Sequence, residues 1–123
     1  MFSDKLLNHF QNPRNVGALS APSCSVQVEN PACGDILRLS ARFEAGRVAE
    51  ARYNTRGCTA SIAAGSALTE WMIGKSRGEL AALCPEVIEH ELGGLPPASR
   101  HAAVLCVDAV KAVIRCFRDE ATD

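Results

Sequence analysis

Residues 35–55 read DILRLSARFEAGRVAEARYNT, and the alternation in this stretch predicts the central hairpin of a sheet. Over residues 35–43 apolar side chains alternate with polar ones, as expected of a strand with one buried face. The apolar set is Leu37, Leu39, Ala41 and Phe43. Residues 44–47 contain a glycine and predict a hairpin turn. Alternation resumes over residues 48–55, where we place Ala49, Ala51 and Tyr53 on the core face.

The neighbouring segments extend this hairpin into a complete domain. Residues 24–30 alternate in the same way, which predicts three consecutive strands in an antiparallel meander. After Cys58 the pattern becomes helical, and we predict helices over residues 61–73, 86–92 and 99–118, with a capping box at residues 76–79. Strands followed by helices indicate an α+β fold. We therefore predict a single domain over residues 1–123: a three-stranded antiparallel sheet with helices packed on one face and a long C-terminal helix.

The composition excludes several classes of protein. The chain has 123 residues and a net charge of −1, so no basic surface suggests a nucleic-acid partner. The N-terminus lacks the features of a signal peptide, and the longest nearly apolar run, residues 59–73, is too short to span a membrane. We therefore expect a cytoplasmic protein. The six cysteines should then be free thiols, metal ligands or core residues rather than disulfides.

Two cysteines lie in segments suited to metal binding. Cys33 falls in the loop PACGD, residues 31–35, with Asp35 two residues later. Cys58 lies in RGCTAS, residues 56–61, directly before a predicted helix whose N-terminal amides and dipole stabilise a thiolate. His101 lies near the start of the last helix. Thiolates, a carboxylate and an imidazole from separate segments predict a site for iron or zinc.

The remaining cysteines are more ambiguous. Cys106 lies on a stripe of the last helix with Ala102 and Ala109, which is the spacing of a core-facing side. It is equally a candidate for a third thiolate ligand, and the sequence leaves both interpretations open. Three further cysteines read as packing or surface thiols. They are Cys24, Cys84 and Cys116.

Ordered motifs along almost the whole chain resemble the U-type iron–sulfur cluster assembly scaffold family, represented by IscU and the N-terminal domain of NifU. The matching segments are HFQNPRNVG at residues 9–17, PACGD at 31–35, TRGCTAS at 55–61, LTEW at 68–71, LPP at 95–97 followed by His101, and DAVKA at 108–112. The resemblance implies an IscU/NifU-like fold and a scaffold role rather than enzymatic turnover.

The resemblance also implies a cargo and partners. In this family a cysteine desulfurase delivers sulfur, iron and electrons join it, and a [2Fe–2S] cluster is built and passed to apo-proteins. Cys33, Asp35, Cys58 and His101 lie at positions matching the family's ligands. A zinc ion often occupies the same site in the family.

The chain departs from the family in two places. The family's third cysteine follows the histidine directly, whereas this chain has Ala102 there and Cys106 one helical turn later, about 6 Å along the axis. The segment at residues 95–97 continues with Ala98 and Ser99 instead of the valine and lysine that an Hsp70-type chaperone recognises in the family. This weakens the match to that partner.

Two other hypotheses remain open. The first is a divergent zinc- or iron-binding protein of the same fold with impaired or altered cluster assembly, which the alanine at position 102 motivates. The second is an enzyme with Cys58 as nucleophile and His101 as base. No third residue to orient the base can be placed, so the sequence favours this hypothesis least.

Overall fold

The computed structural model describes residues 2–31 and 34–121, and its side chains through Phe117. The elements in chain order are α1 (Asp4–Gln11), β1 (Cys24–Glu29), β2 (Ile36–Glu44), β3 (Arg47–Arg56), α2 (Thr59–Met72), α3 (Arg77–Ala81), α4 (Pro85–Glu91) and α5 (His101–Ala121). The strands form one antiparallel sheet in the order β1-β2-β3. The predicted α+β fold is confirmed, with its three-stranded sheet and long C-terminal helix.

The β2–β3 hairpin turns through Ala45 and Gly46, both at positive φ, as a tight two-residue turn requires. Beyond the turn, Phe43 pairs with Val48 while Arg42 pairs with Glu50, so Ala49 is an extra residue in a β-bulge. The prediction that Ala49 faces the core was therefore wrong. The bulge shifts the alternation, and Val48 is buried instead, in phase with Ala51 and Tyr53.

One face of the sheet packs against α2 and α5. Helix α2 is rich in small residues, and Gly65 lies so close to the Tyr53 ring that an added Cβ would stand 2.4 Å from it. The Tyr53 hydroxyl donates a hydrogen bond of 2.7 Å to the Ile62 carbonyl. Burial raises the pKa of Tyr53 to about 12. This close packing fixes where the N-terminus of α2 lies relative to the strands.

The N-terminal motif at residues 9–17 ties α1 and its following loop to the rest of the domain. The buried Ser66 hydroxyl accepts the Arg14 backbone N–H at 3.0 Å and lies 2.7 Å from His9 Nδ1. The pKa of His9 is lowered, chiefly by burial and next by the Arg14 guanidinium. Asn15 attaches the same loop to β3, because its carbonyl accepts a hydrogen bond from the Tyr53 N–H at 2.9 Å.

The helix boundaries differ slightly from the prediction. α2 begins two residues earlier than expected, and Pro85 is the first residue of α4, where its missing N–H is tolerated. A 3-10 turn, Pro97–Ser99, precedes α5, which therefore begins at His101 rather than residue 99. The capping box between Ser76 and Glu79 is present as predicted. Among the helices described, none is sufficiently long and apolar to cross a membrane.

Candidate metal centre

Three separate elements bring one ligand-type side chain each to a common point. Asp35 immediately precedes β2, Cys58 is the N-cap residue of α2, and His101 is the first residue of α5. One ligand atom from each residue lies within 4.8 Å of the other two. Among the described residues, these three side chains form the one group of cysteine, histidine and acidic residues whose ligand atoms are close enough together to hold a metal ion.

The distances in this group suit a small tetrahedral ion. Cys58 Sγ lies 3.8 Å from Asp35 Oδ2 and 3.8 Å from His101 Nε2. His101 Nε2 and Asp35 Oδ2 are 3.1 Å apart. Metal bonds of about 2.0 Å to nitrogen or oxygen and about 2.3 Å to sulfur, at tetrahedral angles, place ligand atoms about 3.3–3.7 Å apart. The three observed distances are thus close to the edge lengths of one face of such a tetrahedron.

Asp35 is held in place by its neighbours. Its side chain is only 8 % exposed, and the Ser61 hydroxyl donates a 2.5 Å hydrogen bond to Oδ2. Gly57 leaves the space for this carboxylate, because an added Cβ would stand 2.8 Å from Asp35 Cγ. The Asp35 carbonyl accepts the Asn30 N–H at 2.8 Å. A bulkier residue at position 57 would therefore displace the carboxylate.

The environment of His101 selects which ring nitrogen is available. Nδ1 lies 3.1 Å from the Ala98 carbonyl, and a hydrogen bond between them requires an N–H at Nδ1. Nε2 is the atom that faces Asp35 and Cys58, and a metal ion bound at this nitrogen would replace the proton that a hydrogen bond to the Asp35 carboxylate requires. A backbone carbonyl that orients the distal nitrogen is a common feature of metal-binding histidines.

Cys58 is the exposed member of the group. Its side chain makes no capping hydrogen bond to the helix. Instead Sγ lies 3.3 Å from the Ser61 hydroxyl, in addition to its contacts with Asp35 and His101. The thiol thus lies beside both other ligand-type side chains and remains accessible from outside the protein.

A family model matches residues 1–123 and is described as the NifU-like N terminal domain. The chain belongs to this family. It is 41% identical over 121 residues to the protein named iron-sulfur cluster assembly scaffold protein IscU of Azotobacter vinelandii, covering 95% of this chain and 94% of that one. It is 38% identical over 123 residues to the protein of the same name from Escherichia coli K12, covering 97% and 95%.

The architecture of this NifU-like domain also matches solved structures. The N-terminal part of a NifU-like protein from Brucella abortus superposes with a TM-score of 0.70 at 21% identity, covering 94% of this chain and 91% of that one. At that identity the likeness concerns the fold. It supports the predicted IscU/NifU-like arrangement of sheet and helices.

The predicted cysteine ligands have different outcomes in this NifU-like domain. Cys58 lies together with Asp35 and His101, and its role as a ligand stays a prediction. Cys33 lies outside the described residues, so its role as a ligand stays a prediction.

Cys106 does not join the group. It is buried in the core with 1% exposure, and burial raises the pKa of its thiol to about 12. A neutral, enclosed thiol is a poor ligand, since metals bind the thiolate. Of the two interpretations that the sequence left open, the structure supports the core residue. Ala102, at the family's third cysteine position, is also buried.

The remaining cysteines have no part in the candidate centre as the structure describes it. Cys24 is buried on the core side of β1, as its place in the alternation predicts. Cys84 is exposed as the N-cap residue of α4, and Cys116 is partly buried on α5.

Sequence reasoning missed the hydrogen bond from Ser61 to Asp35 and the packing of Gly57 against Asp35. Both lie within the quoted motif at residues 56–61, but their roles depend on contacts with Asp35, more than 20 positions away. One local signal was available for Ser61. Residues three apart at the start of a helix lie on the same side, so Ser61 is expected near Cys58.

Proposed function

We propose that this protein is an iron–sulfur cluster assembly scaffold. The single observation that carries the proposal is the convergence of Asp35, Cys58 and His101 at distances suited to a metal ion. The names of the relatives from Azotobacter vinelandii and Escherichia coli K12, which are 41% and 38% identical over 94% and 95% of their length, support the same conclusion. The cluster is then a cargo that is built and released, not a permanent cofactor.

The ligand set suits temporary binding. A thiolate and an imidazole bind iron firmly, whereas a carboxylate is a harder ligand that exchanges more readily. Exposure of Cys58 leaves one side of the centre open to a partner. Cys33 would supply a second thiolate from the loop before Asp35. We propose these four residues as the ligands of iron in a [2Fe–2S] cluster, with zinc as an alternative occupant of the same site.

Sulfur would reach the centre by persulfide transfer from a cysteine desulfurase. The Cys58 thiolate attacks the outer sulfur of the donor persulfide, a new S–S bond forms on Cys58, and the donor cysteine leaves as a thiolate. An external electron donor must then reduce the transferred sulfur to sulfide.

Under this proposal the protein is a carrier rather than an enzyme, it works in the cytoplasm, and its other partners are apo iron–sulfur proteins. An Hsp70-type chaperone is a further candidate partner at Leu95–Pro97.

Anaerobic reconstitution tests the scaffold proposal. Ferrous iron, L-cysteine and a cysteine desulfurase should produce visible absorption from sulfur-to-iron charge transfer in the wild-type protein. Cys58→Ser and His101→Ala should strongly reduce this absorption. Cys84→Ser is the matched control, since Cys84 is an exposed N-cap thiol on another helix. A folded wild-type protein that acquires no cluster would contradict the proposal.

A second candidate function is metal binding with impaired or altered assembly. The observation favouring it is the burial of both Ala102 and Cys106, which leaves α5 to contribute His101 but no thiolate to the described centre. Ala102→Cys separates the two functions. A large gain in cluster yield would indicate a scaffold that has lost its third thiolate. An unchanged, substantial yield would show that the existing ligands suffice for assembly.

A further inference from the structure

The outer face of the sheet, which we define as the face turned away from α2 and α5, carries a group of arginines. In the register of β2 and β3, Arg38 lies opposite Asn54. Arg52 and Arg56 therefore occupy the two diagonal positions beside Arg38, at roughly 7–8 Å between Cα atoms. Long side chains at that spacing reach a common ligand.

The charges of these arginines are not neutralised by the described acidic residues. Arg42, farther along β2, is paired with Glu50. By contrast, Arg38 donates from Nε to the neutral Gln27 amide oxygen at 2.7 Å, and Arg52 donates to Asn15 Oδ1 at 3.1 Å. Across residues 2–31 and 34–117, no ion pair joins Arg38, Arg52 or Arg56 to a carboxylate.

The same region of the sheet forms a groove. A cavity of about 320 Å³ is lined by Gln27, Ile36, Arg38, Asn54, Thr55 and Arg56. A second cavity of about 350 Å³ continues along the sheet and shares Gln27, Arg38 and Asn54 with the first. Each volume is at the small end of the range for ligand sites, about 300–1,000 Å³. The groove therefore suits a small molecule.

The groups lining the first cavity indicate the chemistry of that molecule. Two guanidinium groups present paired N–H donors that match the two oxygens of a carboxylate. The Asn54 amide nitrogen donates one hydrogen to the Gly17 carbonyl at 3.2 Å, which leaves its second hydrogen for a ligand. Glu29, opposite Ile36 and diagonal to Arg38, is the nearest acid in register, and it forms no ion pair with these arginines among the described residues. We propose that this groove binds a small polycarboxylate anion, through Arg38 and Arg56.

The position of the groove relates it to the candidate metal centre. Ile36 directly follows Asp35, and Arg56 directly precedes Gly57 and Cys58. The anion site and the metal centre thus lie at the same end of the sheet. The proposal rests on the arginines and the groove alone, so it stands or falls independently of the scaffold function.

A titration with tricarballylate, a tricarboxylate without a metal-chelating hydroxyl, tests the proposal. We expect saturable NMR shifts at the side-chain amides of Gln27 and Asn54, with a dissociation constant of about 1 mM at low ionic strength. Arg38→Gln and Arg56→Gln should each weaken binding about fivefold or more. Arg115→Gln, which removes the same charge from an exposed position on α5, should leave binding unchanged.

Several results would overturn the proposal. One is a set of shifts that do not saturate, and another is an equal effect of Arg38→Gln, Arg56→Gln and Arg115→Gln. Binding of a hexaglutamate peptide without binding of tricarballylate would assign the face to an acidic protein surface instead. Arg56→Gln keeps the test decisive if Arg38→Gln fails to fold, because Arg56 makes no side-chain hydrogen bond among the described contacts.

Discussion

Cys58 and Cys106 are both helical thiols, yet the regions around them are opposite in character. Cys58 stands at the N-terminus of α2, exposed, with a hydroxyl, an imidazole and a carboxylate within 3.8 Å. Cys106 lies in the second turn of α5 with 1% exposure, among apolar residues of the core. The surroundings of a thiol, rather than its residue type, therefore decide whether it can serve as a ligand.

The largest expected effect is on alkylation of the native protein. Cys106 is enclosed by the core, and burial raises the pKa of its thiol to about 12, so at pH 8 the thiol is neutral and out of reach of a reagent. We expect iodoacetamide to modify Cys58 more than about 1,000 times faster than Cys106, measured by peptide-resolved mass spectrometry. In urea the two rates should converge. Comparable rates in the folded protein would show that Cys106 is accessible.

Loss of each thiol should affect different properties. Cys58→Ser should lower the affinity for zinc about 100-fold, because a hydroxyl is a much poorer ligand for this metal than a thiolate. Cys106→Ala should leave zinc affinity unchanged and lower the free energy of unfolding by about 1 kcal/mol. Competition with a chromophoric chelator and urea unfolding provide the two measurements. A marked loss of zinc affinity in Cys106→Ala would place this thiol in the centre after all.

Two glycines extend the comparison to the backbone. Gly57→Ala adds a methyl group 2.8 Å from the Asp35 carboxylate, and we expect about tenfold weaker zinc binding. Gly65→Ala places its methyl group 2.4 Å from the Tyr53 ring, and overpacking should cost about 1–3 kcal/mol of unfolding free energy. The same two assays apply.

Two results would contradict the expected difference between the two glycine variants. If Gly65→Ala weakened zinc binding as much as Gly57→Ala, the affinity would depend on the general position of α2. If Gly57→Ala had no effect on zinc, the close packing against Asp35 would not be needed by the centre.

A weaker effect should come from His9, a partly buried side chain away from the metal centre. Its folded pKa is lowered, so the folded protein binds fewer protons there than the unfolded chain does. The stabilising contribution is present above the unfolded pKa, about 6.5, and is lost as pH falls through the folded pKa. Wild-type stability should therefore drop more than that of His9→Gln between pH 7.5 and pH 5.

Urea midpoints of both proteins at the two pH values measure this difference, and His101 is common to both, so its titration cancels. Equal losses in wild type and His9→Gln would show that the contacts of His9 with Ser66 and Arg14 do not depend on its protonation.

The sequence predicted the elements well because their patterns are local. Alternation identified the strands, and small residues followed by a capping box identified the helices. Ala49 was misplaced because a β-bulge depends on the pairing of two strands, which periodicity within one strand does not reveal. For the centre, residue types were sufficient to select Asp35, Cys58 and His101 as candidates, and the structure brings these three side chains together. The hydrogen bond from Ser61 to Asp35 and the packing of Gly57 against Asp35 were not predictable, since they depend on long-range contacts.

Asp35, Cys58 and His101 are far apart in the sequence, so a metal ion bound by all three would affect the stability of the fold. Such an ion would be a reversible cross-link between the start of one strand and the starts of two helices. By mass action, an ion that binds only the folded state raises the free energy of unfolding. The increase grows with the logarithm of the ratio of the free ion concentration to the dissociation constant. The loaded and empty forms would then differ in resistance to proteolysis, and a partner could distinguish them by rigidity alone.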